Sequence, residues 1–574
     1  MMMIRRRGTT FILLATTTTT SVIDAFTFIR PKLSSLISTT RSSYTMKSSS
    51  SLNYKTNIAR SFASSLSSSS LHAVQTKNEI QMSKDALSIT QAAIHAVDPN
   101  VAIEKHLVYN QEDKTLTVED TTTKYRHIYK LEDGTYDTIL ISAFGKAATD
   151  MALKTVQIVS KANIPTKGIV ITKYDHATEG QINELKSFNI DLHFAAHPVP
   201  DQQSITSSNL LLDMVRSNAT SKTLVLNCIS GGGSSLFCTP RPPITLETMA
   251  QVNAQLLACG MPIQQMNVIR KKLEIGKGGG LVGLIQPATS VTLVLSDVIG
   301  DPLDLIASGP TVPDQSTWLD AWESIERYDM NKGGKYALPD DVIEILMKGK
   351  EGYYDNVEDL PTNDHLMFSS HCENAVSEAS KLSETVLIAN NAQAVHAAAE
   401  KAKQLGYNPV ILGTTIEGEA RHVGNMYVSM AHQTQLQRTN PNAAYFPLVK
   451  LPAALIAGGE TTVTLSKNHG LGGRNQELGL AAALSLQASN LRDVVISSIG
   501  TDGGDGPTDA AGATVDATTI ERIETENGGS MSGKDALEQN NAYNFFASAP
   551  ESSALVKTGP TGTNVADICV TLIN

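Results

Sequence analysis

Short apolar runs alternate with segments of helical periodicity from residue 84 to the end of the chain. The run "DTILISAF" at 137–144 predicts a strand, and the segment that begins at "GKAATD" predicts the helix after it. This alternation is interrupted by a more polar stretch at 311–383 and then resumes. Strands that alternate with helices predict parallel βαβ units and a sheet that is covered on both faces. We therefore predict an α/β fold.

The length of the chain predicts more than one domain. With 574 residues, the chain exceeds the size that one ordinary hydrophobic core supports. The segment 432–451 has neither helical nor strand periodicity and is typical of a linker. We predict a first α/β domain at 84–345, with a βαβ extension that runs up to 431, and a second α/β domain at 452–574. A cleft is expected between the two domains.

The first 75 residues have the composition of a targeting sequence rather than of a folded domain. They carry nine Lys and Arg and one acid, Asp24, and they are rich in Ser and Thr. Basic, Ser-rich and acid-poor stretches are typical of organelle transit peptides. The "DAF" at 24–26 resembles the junction of two-part plastid signals, so a plastid is the predicted destination and a mitochondrion the alternative. We predict that 1–75 is a disordered presequence, and a disordered tail without a targeting role is the other alternative.

The charge of the chain argues against nucleic acid as its partner. The formal net charge is −11 although the first 75 residues are basic, so the remainder is strongly acidic and would repel a phosphate backbone. No apolar run approaches the roughly 20 residues that span a membrane, so no membrane partner is expected. The five cysteines are odd in number and widely spaced, without a CxxC pair. They predict buried free thiols rather than a disulfide framework or a zinc site.

One glycine-rich segment directly follows a predicted strand, which is where open α/β sheets bind ligands. "SGGGSSL" at 230–236 comes after the apolar run "TLVLNCI". Its backbone N–H groups and hydroxyls suit a phosphate or a carboxylate, and a plain tight turn is the alternative. The candidate ligands are Ser230, Gly231, Gly232, Gly233, Ser234 and Ser235.

A second glycine-rich segment, "GKGGGLVG" at 276–283, has the spacing of a G-x-G-x-x-G dinucleotide motif. It follows the charged run "VIRKKLEI", which predicts a helix instead of the strand that such a motif requires. We therefore do not predict a dinucleotide site here. Lys277 is a candidate phosphate ligand, with a solvated surface lysine as the alternative.

Two acidic loops each follow a predicted strand. The first is "SDVIGDPLDLIASGP" at 296–310, and the second is "GTDGGDGPTDAAG" at 500–512. Such loops can hold Mg²⁺, which takes one or two carboxylates together with phosphate oxygens, or can accept a proton from a hydroxyl. Asx turns are the alternative. The candidate residues are Asp297, Asp301, Ser308 and Gly309 in the first loop, and Asp502 and Asp505 in the second.

Two cations lie where glycine-containing segments lead into predicted helices. Arg474 follows Gly472 and Gly473, and Lys146 follows the first strong strand. A guanidinium at a helix start can bind a carboxylate or a phosphate through its fork, although a surface charge is the alternative for each residue. Asn564 lies in a further polar loop, "TGPTGTNVAD". Cations, carboxylates and phosphate-type nests without a nucleophile–base pair together predict phosphoryl transfer.

Several of these segments occur in the order seen in the glycerate 2-kinase family, whose C-terminal part is called the MOFRL domain. They are "SGGGSSL", "SDVIGDPLDLIASGPTVPD", "GGETTVTL", "GLGGRNQELGLA", "GTDGGDGPTDAAGA" and "TGPTGTNVAD". The chain resembles this family from about residue 84 to its end. The resemblance implies two Rossmann-like domains with mostly parallel sheets and an active-site cleft between them. It also implies ATP-dependent phosphorylation of the 2-hydroxyl of D-glycerate to 2-phosphoglycerate, with Mg²⁺.

The resemblance also implies roles for individual residues. Lys146 and Arg474 match charges proposed as catalytic in the family, and Asp297 and Asp502 are expected to join them in catalysis. Asp301 and Asp505 are expected to hold the metal. The residues expected to bind substrate and nucleotide are Ser230 to Ser235, Arg270, Lys277, Ser308, Gly309, Gly472, Gly473 and Asn564.

One segment departs from the family's pattern. The family reads close to "VRKHLSxIKGGRLA", whereas this chain reads "IRKKLEIGKGGGLV" at 269–282. Lys272 stands for His, Glu274 for Ser and Gly280 for Arg, which removes one positive group near the expected site. The sequence therefore determines the substrate preference less closely than the reaction class.

Two other functions stay open. Some relatives are labelled hydroxypyruvate reductases, which suggests an NADH-dependent reductase, and the poorly placed G-x-G-x-x-G argues against it. A non-catalytic protein that binds glycerate or a nucleotide is the second alternative. Small molecules are the expected partners, and a homodimer is compatible with the sequence.

Overall fold

The computed structural model describes residues 78–120, 125–132, 134–354, 383–439 and 450–574. The predicted presequence at 1–75 lies outside the described residues. No helix in the described part of the chain combines the length and the hydropathy that crossing a bilayer requires.

Two helices and a small antiparallel sheet begin the described chain. They are α1 (Glu79–Ala96), α2 (Pro99–His106), β1 (Leu107–Asn110), β2 (Thr115–Asp120) and β3 (Tyr125–Lys130). Asp98 caps α2, because its carboxylate accepts hydrogen bonds from the N–H groups of Asn100 and Val101 at 2.8 and 3.2 Å. This cap satisfies donors that the first turn of a helix otherwise leaves free.

The first large sheet is six-stranded and parallel. Its strands are β4 (Thr138–Phe144), β5 (Thr166–Lys173), β6 (Ile190–Ala195), β7 (Thr223–Ile229), β8 (Thr289–Leu295) and β9 (Ser383–Ala389). Their order is β6–β5–β4–β7–β8–β9. This is the order of doubly wound Rossmann sheets, which bind ligands where the order reverses. The reversal lies between β4 and β7.

Helices pack on this sheet and beside it. They are α3 (Ala148–Val159), α4 (Glu179–Ser187), α5 (Gln202–Asn218), α6 (Gly233–Leu236), α7 (Leu246–Ala258), α8 (Ile263–Leu273), α9 (Gly280–Ile285), α10 (Trp318–Arg327) and α11 (Asp340–Lys350). Alternate residues of β4 enter two different cores: Ile139 and Ile141 pack with α3, and Leu140 packs with α5. Burial on both faces explains the unbroken apolar run that predicted this strand. Helices α7, α8, α10 and α11 share a separate apolar cluster.

The second large sheet is also six-stranded, and its strand directions are mixed. Its strands are β10 (Asn408–Ile416), β11 (Ala453–Gly459), β12 (Val494–Gly500), β13 (Gly512–Asp516), β14 (Leu555–Val556) and β15 (Asp567–Ile573), in the order β10–β11–β15–β12–β13–β14. Its helices are α12 (Asn391–Gln404), α13 (Ala420–Thr439), α14 (Arg474–Ala488), α15 (Thr519–Glu526), α16 (Gly533–Glu538) and α17 (Ala542–Ala547).

The α/β class with two sheets is confirmed, but the expectation of mostly parallel pairing fails in the second sheet. There β10 pairs with β11 in parallel, whereas the β11–β15, β15–β12, β12–β13 and β13–β14 pairings are antiparallel. The loop between β12 and β13 is shorter than the crossover of about a dozen residues that parallel neighbours need. The buried run of β15 predicts a strand without revealing its direction, because residues on both faces are apolar.

The chain passes from the first sheet to the second before it reaches the predicted linker at 432–451. Strand β9 joins the first sheet and β10 joins the second, so the change occurs across α12. Helix α13 continues to Thr439 and so includes the first part of the predicted linker. Its residues Tyr427 and Ala431 are buried in the same apolar cluster as α14. Residues 440–449 lie outside the described residues.

One apolar core joins the two large sheets. It includes Met82 and Ile89 of α1, Val395 of α12, Ile141 of β4 and Ile456 of β11. Asn391 adds polar contacts, because its amide donates hydrogen bonds to the carbonyls of Val565 and Asp567 at 2.8 and 3.0 Å. These contacts join the segment after β9 of the first sheet to the segment that leads into β15 of the second sheet.

Candidate active site

The loops after β4 and β7 meet where the strand order of the first sheet reverses. The Lys146 N–H donates to the carbonyl of Gly231 at 2.9 Å. The Ala147 N–H donates to Oγ of Ser230 at 3.0 Å. Lys146 therefore lies beside the glycine-rich segment at 230–235, which we call the nest.

The nest lies against the first acidic loop. A Cβ atom on Gly231 would overlap the Asp297 carboxylate, so only glycine allows this approach. The Ser234 and Ser308 hydroxyls are 3.0 Å apart, and the Ser235 hydroxyl donates to the Gly232 carbonyl at 3.1 Å. Gly233 lies against Ala307, and the Gly309 carbonyl accepts from the N–H of Gly279 at 2.7 Å. The structure thus brings the predicted residues of both segments together.

Lys277 contacts the backbone of the nest and is not a solvated surface lysine. Its ammonium group donates to the Ser234 carbonyl at 2.7 Å and pairs with Glu274 at 2.5 Å. Both charged side chains are buried. The second Glu274 oxygen accepts from the N–H of Thr239 at 2.8 Å. Glu274, one of the departures from the family's pattern, therefore supplies the counter-charge that a buried lysine requires.

Arg270, predicted to bind substrate or nucleotide, forms its side-chain hydrogen bond outside the nest. Its Nε donates to the side-chain oxygen of Asn253 on α7 at 2.7 Å. Its position near the end of α8 thus links two helices of the separate cluster. The glycines of the G-x-G-x-x-G spacing lie between α8 and α9, and not at a strand-to-helix turn. The structure therefore does not provide the context that a dinucleotide motif needs.

Lys146, Asp297, Asp502 and Asn564 converge from loops of the two large sheets. The Lys146 ammonium is 3.9 Å from Oδ2 of Asp502. The Asn564 amide donates to Oδ2 of Asp297 at 3.2 Å. Burial raises the pKa of the Asp297 carboxyl; the Lys146 ammonium opposes this shift and the Asp502 carboxylate adds to it.

Arg474 is held by carboxylates, and its fork is not free for a ligand. Its Nε and Nη2 donate to the two oxygens of Asp567 at 2.6 and 2.9 Å, and its Nη1 is 3.0 Å from Glu460. Burial raises the pKa of Asp567, and Arg474 opposes that rise. One third of the Arg474 side chain stays exposed, and the residue lines the adjoining cavity.

The two residues predicted as metal ligands have other partners. Asp505 is buried, and its oxygens accept from the N–H groups of Asn475 and Gln476 at 3.1 and 2.8 Å. It therefore caps α14, which begins after Gly472 and Gly473 without a side-chain cap of its own. Burial raises the pKa of Asp505 to about 6, and these hydrogen bonds oppose the rise.

Asp301 anchors the first acidic loop instead of presenting a free carboxylate. It accepts from the Asn390 amide at 2.6 Å, and Asn390 in turn caps α12. Among the described residues, no group of three or more His, Cys, Asp or Glu side chains is arranged to hold a metal ion. Of the predicted carboxylates, Asp502 is the more exposed one near Lys146.

A cavity of about 810 Å³ opens beside Arg474. Ile299, from the first acidic loop, lines one side, and loops of the second sheet line the rest. Its apolar wall includes Val463 and Leu465, and its polar groups include Glu460 and Arg474. Such a mixture of an apolar wall and few charged groups is typical of small-molecule sites.

Sequence reasoning missed two residues of the site, Glu460 and His197, and it assigned no role to Asp567 at the end of the "TGPTGTNVAD" loop. Glu460 directly follows β11, in the "GGETTVTL" segment, and this strand-end position was the available signal. His197 follows β6, and its ring lies against Gly232. A single histidine after a strand carries no such signal, because only the folded sheet brings it to the nest.

Comparison with known proteins finds relatives over most of the chain. The model of a domain of unknown function, DUF4147, matches residues 85–347, and the model of the MOFRL family matches residues 453–567. A D-glycerate 2-kinase from Thermotoga maritima is 37% identical over 440 residues, which cover 76% of this chain and 91% of that protein. A glycerate kinase from Danio rerio is 32% identical over 525 residues, covering 85% of this chain and 97% of that protein. The crystal structure of a glycerate kinase from Thermotoga maritima matches with a TM-score of 0.68 and 34% identity, covering 86% of this chain and 100% of that one.

Proposed function

This chain belongs to the glycerate kinase family, and we propose that it is a glycerate 2-kinase. The proposed reaction transfers the γ-phosphoryl group of ATP to the 2-hydroxyl of D-glycerate and releases 2-phosphoglycerate and ADP. The observation that carries the proposal is the convergence of Lys146, Asp297 and Asp502 beside the nest. These groups come from loops of both sheets, so a ligand bound there contacts both.

Asp297 is the proposed acceptor of the hydroxyl proton. Burial raises the pKa of its carboxyl, which makes the carboxylate a stronger base than that of an exposed aspartate. The Asn564 amide holds one carboxylate oxygen, so the other oxygen is the one that would face the substrate. Lys146 is proposed to stabilise negative charge on the transferred phosphoryl group, since phosphoryl transfer depends mainly on positioning and on charge stabilisation.

Mg²⁺ is the metal that the donor set suits. Four carboxylates lie near Lys146 and Arg474; they are Asp297, Asp502, Glu460 and Asp567. A polyphosphate therefore needs further positive charge to bind here. Asp502 is the proposed metal ligand, because Mg²⁺ often takes a single carboxylate together with phosphate oxygens. When bound, the ion would neutralise charge on the phosphates.

The cavity beside Arg474 is the proposed nucleotide site. Its volume of about 810 Å³ is within the range of sites for drug-sized ligands, and its apolar wall suits a nucleobase. The partly exposed Arg474 side chain lines this cavity. A nucleotide there would direct its phosphates toward the Arg474 end of the cavity, where both acidic loops meet.

The test is a coupled ADP-release assay on the full chain with ATP, Mg²⁺ and D-glycerate. We expect Lys146→Ala and Asp297→Asn each to lower kcat by about 10²–10³, the range for removal of one electrostatic group from an active site. Lys154→Ala is the matched control and should keep the parental rate, because Lys154 lies on α3, the helix that follows Lys146, and pairs with Glu104. A folded parent chain that releases no ADP, or one that oxidises NADH with hydroxypyruvate, contradicts the proposal.

We also propose that residues 1–75 direct the protein to an organelle, with a plastid favoured over a mitochondrion. The proposal rests on nine Lys and Arg against one acid in this segment. A fluorescent protein fused behind residues 1–75 is expected to enter plastids, and uniform fluorescence of the cytosol would refute the proposal.

A further inference from the structure

His197 reaches the nest from a strand that is not adjacent to β7. It follows β6, whereas the nest follows β7 on the far side of β5 and β4. A Cβ atom on Gly232 would lie 2.9 Å from Cδ2 and 3.0 Å from Nε2 of the His197 ring, and 3.4 Å from Cγ of Lys146. Because Gly232 has a φ of +81° and no side chain, the ring and the lysine stem both lie directly on its backbone.

His197 is a neutral donor in a positive environment. Burial, together with the nearby Lys146, Lys173 and His176, lowers the pKa of His197 to about 4. A neutral imidazole retains one N–H donor and one acceptor nitrogen. Among the described residues, no group forms a hydrogen bond with this ring, although the ring is half-buried. The donor is therefore available to a ligand, and the surrounding ammonium groups favour an anion.

The nest and His197 do not belong to the lining of the proposed nucleotide cavity. Gly231 lies against the Asp297 carboxylate, and Gly232 lies against the His197 ring. The cavity of about 810 Å³ is lined by Ile299 and by residues of the second sheet's loops and helices, and its lining includes neither His197 nor the nest. The acceptor acid carries one carboxylate, which suits the cations around His197.

We propose that His197 is a positioning residue that donates a hydrogen bond to the carboxylate of the 2-hydroxy acid, in a subsite shared with the nest and Lys146. This inference rests on the proposed kinase function and adds the orientation of the acceptor. The carboxylate and the 2-hydroxyl belong to neighbouring carbons, so an anchored carboxylate holds the hydroxyl near Asp297. Substrates must then carry a free carboxylate next to the hydroxyl that is phosphorylated.

The test compares binding and kinetics in the full chain. In His197→Ala, we expect the calorimetric Kd for D-glycerate and its KM to rise by about 10- to 100-fold, the range for a lost hydrogen bond to a charged group. The Kd for a non-hydrolysable ATP analogue should stay within about twofold, since a group that contacts one substrate alone leaves the binding of the other unchanged. His197→Gln should recover part of the glycerate affinity, because its amide also donates an N–H. His193→Ala, on the same β6, is the matched control and should bind both ligands like the parent.

The outcomes distinguish the His197 subsite from the proposed kinase function. Unchanged glycerate affinity in His197→Ala, or a loss confined to the nucleotide, overturns the inference while the kinase function stands. A parent chain that binds D-glycerate through His197 but releases no ADP overturns the kinase function and leaves the subsite intact. Thermal melting of both His197 variants shows whether either change disturbs the fold.

Discussion

The ion pair between Arg474 and Asp567 is expected to stabilise the folded protein. Two parallel hydrogen bonds join the guanidinium to a carboxylate that is buried at the start of β15. Arg474→Ala leaves that carboxylate without its counter-charge. Breaking a buried pair by removing one partner costs about 3–5 kcal/mol. Because one third of Arg474 is exposed, solvent screening lowers the expected loss in the free energy of unfolding to about 2–4 kcal/mol.

The loss of stability in Arg474→Ala should depend on pH in a defined direction. Arg474 lowers the pKa of Asp567, which burial has raised. Without Arg474, the folded-state pKa rises further above that of the unfolded chain, so the folded variant binds a proton that the unfolded chain releases. The variant therefore loses stability as the pH rises above about 4, and the deficit is smallest under acidic conditions.

Hydrogen exchange of the β15 and α14 amides is the suitable assay. The two tryptophans, Trp318 and Trp322, both lie in α10, so their fluorescence does not report on this region. Combining Arg474→Ala with Asp567→Asn should restore more than half of the lost protection, because the buried charge is then gone. Arg474→Lys should restore less, since lysine lacks the planar fork. Unchanged β15 exchange in Arg474→Ala would refute the reasoning.

Three further predictions follow from contacts of the site and core. Gly231→Ala would displace the Asp297 carboxylate and should lower ADP release about 10²-fold, with near-parental thermal melting; full activity would contradict the close approach. Asp505→Ala should destabilise α14 by about 1–2 kcal/mol through loss of its cap, measured by exchange of α14 amides. Burial raises the pKa of Asp505 to about 6, so its contribution to stability declines as the pH rises from about 4 to about 6; Asp505→Asn should remove this decline in urea titrations. Burial raises the pKa of the Cys228 thiol to about 12. Thiol reagents should therefore modify the partly exposed Cys259 and spare Cys228. Equal labelling of the two cysteines in the folded protein would contradict the burial of Cys228.

Strand-end reasoning located most of the candidate site. Lys146, Asp297 and the nest follow β4, β8 and β7, and the carboxyl ends of parallel strands share one edge of a sheet. Their proximity could therefore be predicted from an apolar run followed by glycine and polar residues. The same rule pointed to Asp502 in the second sheet, whose carboxylate meets Lys146.

The partners of individual charges could not be predicted in this way. Asp505 and Asp502 lie three positions apart in one glycine-rich loop, yet the first is buried as a helix cap and the second faces Lys146. Arg270 and Lys277 both belong to the segment 269–282. The Arg270 side chain binds Asn253, whereas the Lys277 side chain pairs with the buried Glu274. Local sequence does not distinguish these roles, since each depends on which distant element packs against the side chain.

The sequence by itself determined the α/β class, the positions of most strands and helices, and the loops that carry the chemistry. These properties depend on periodicity and on short-range backbone preferences, which any stretch of chain expresses locally. Only the tertiary structure decided that β15 enters the second sheet antiparallel between β11 and β12, and that His197 lies on the nest. Strand direction and contacts between distant loops depend on the packing of the whole core, which a local pattern does not encode.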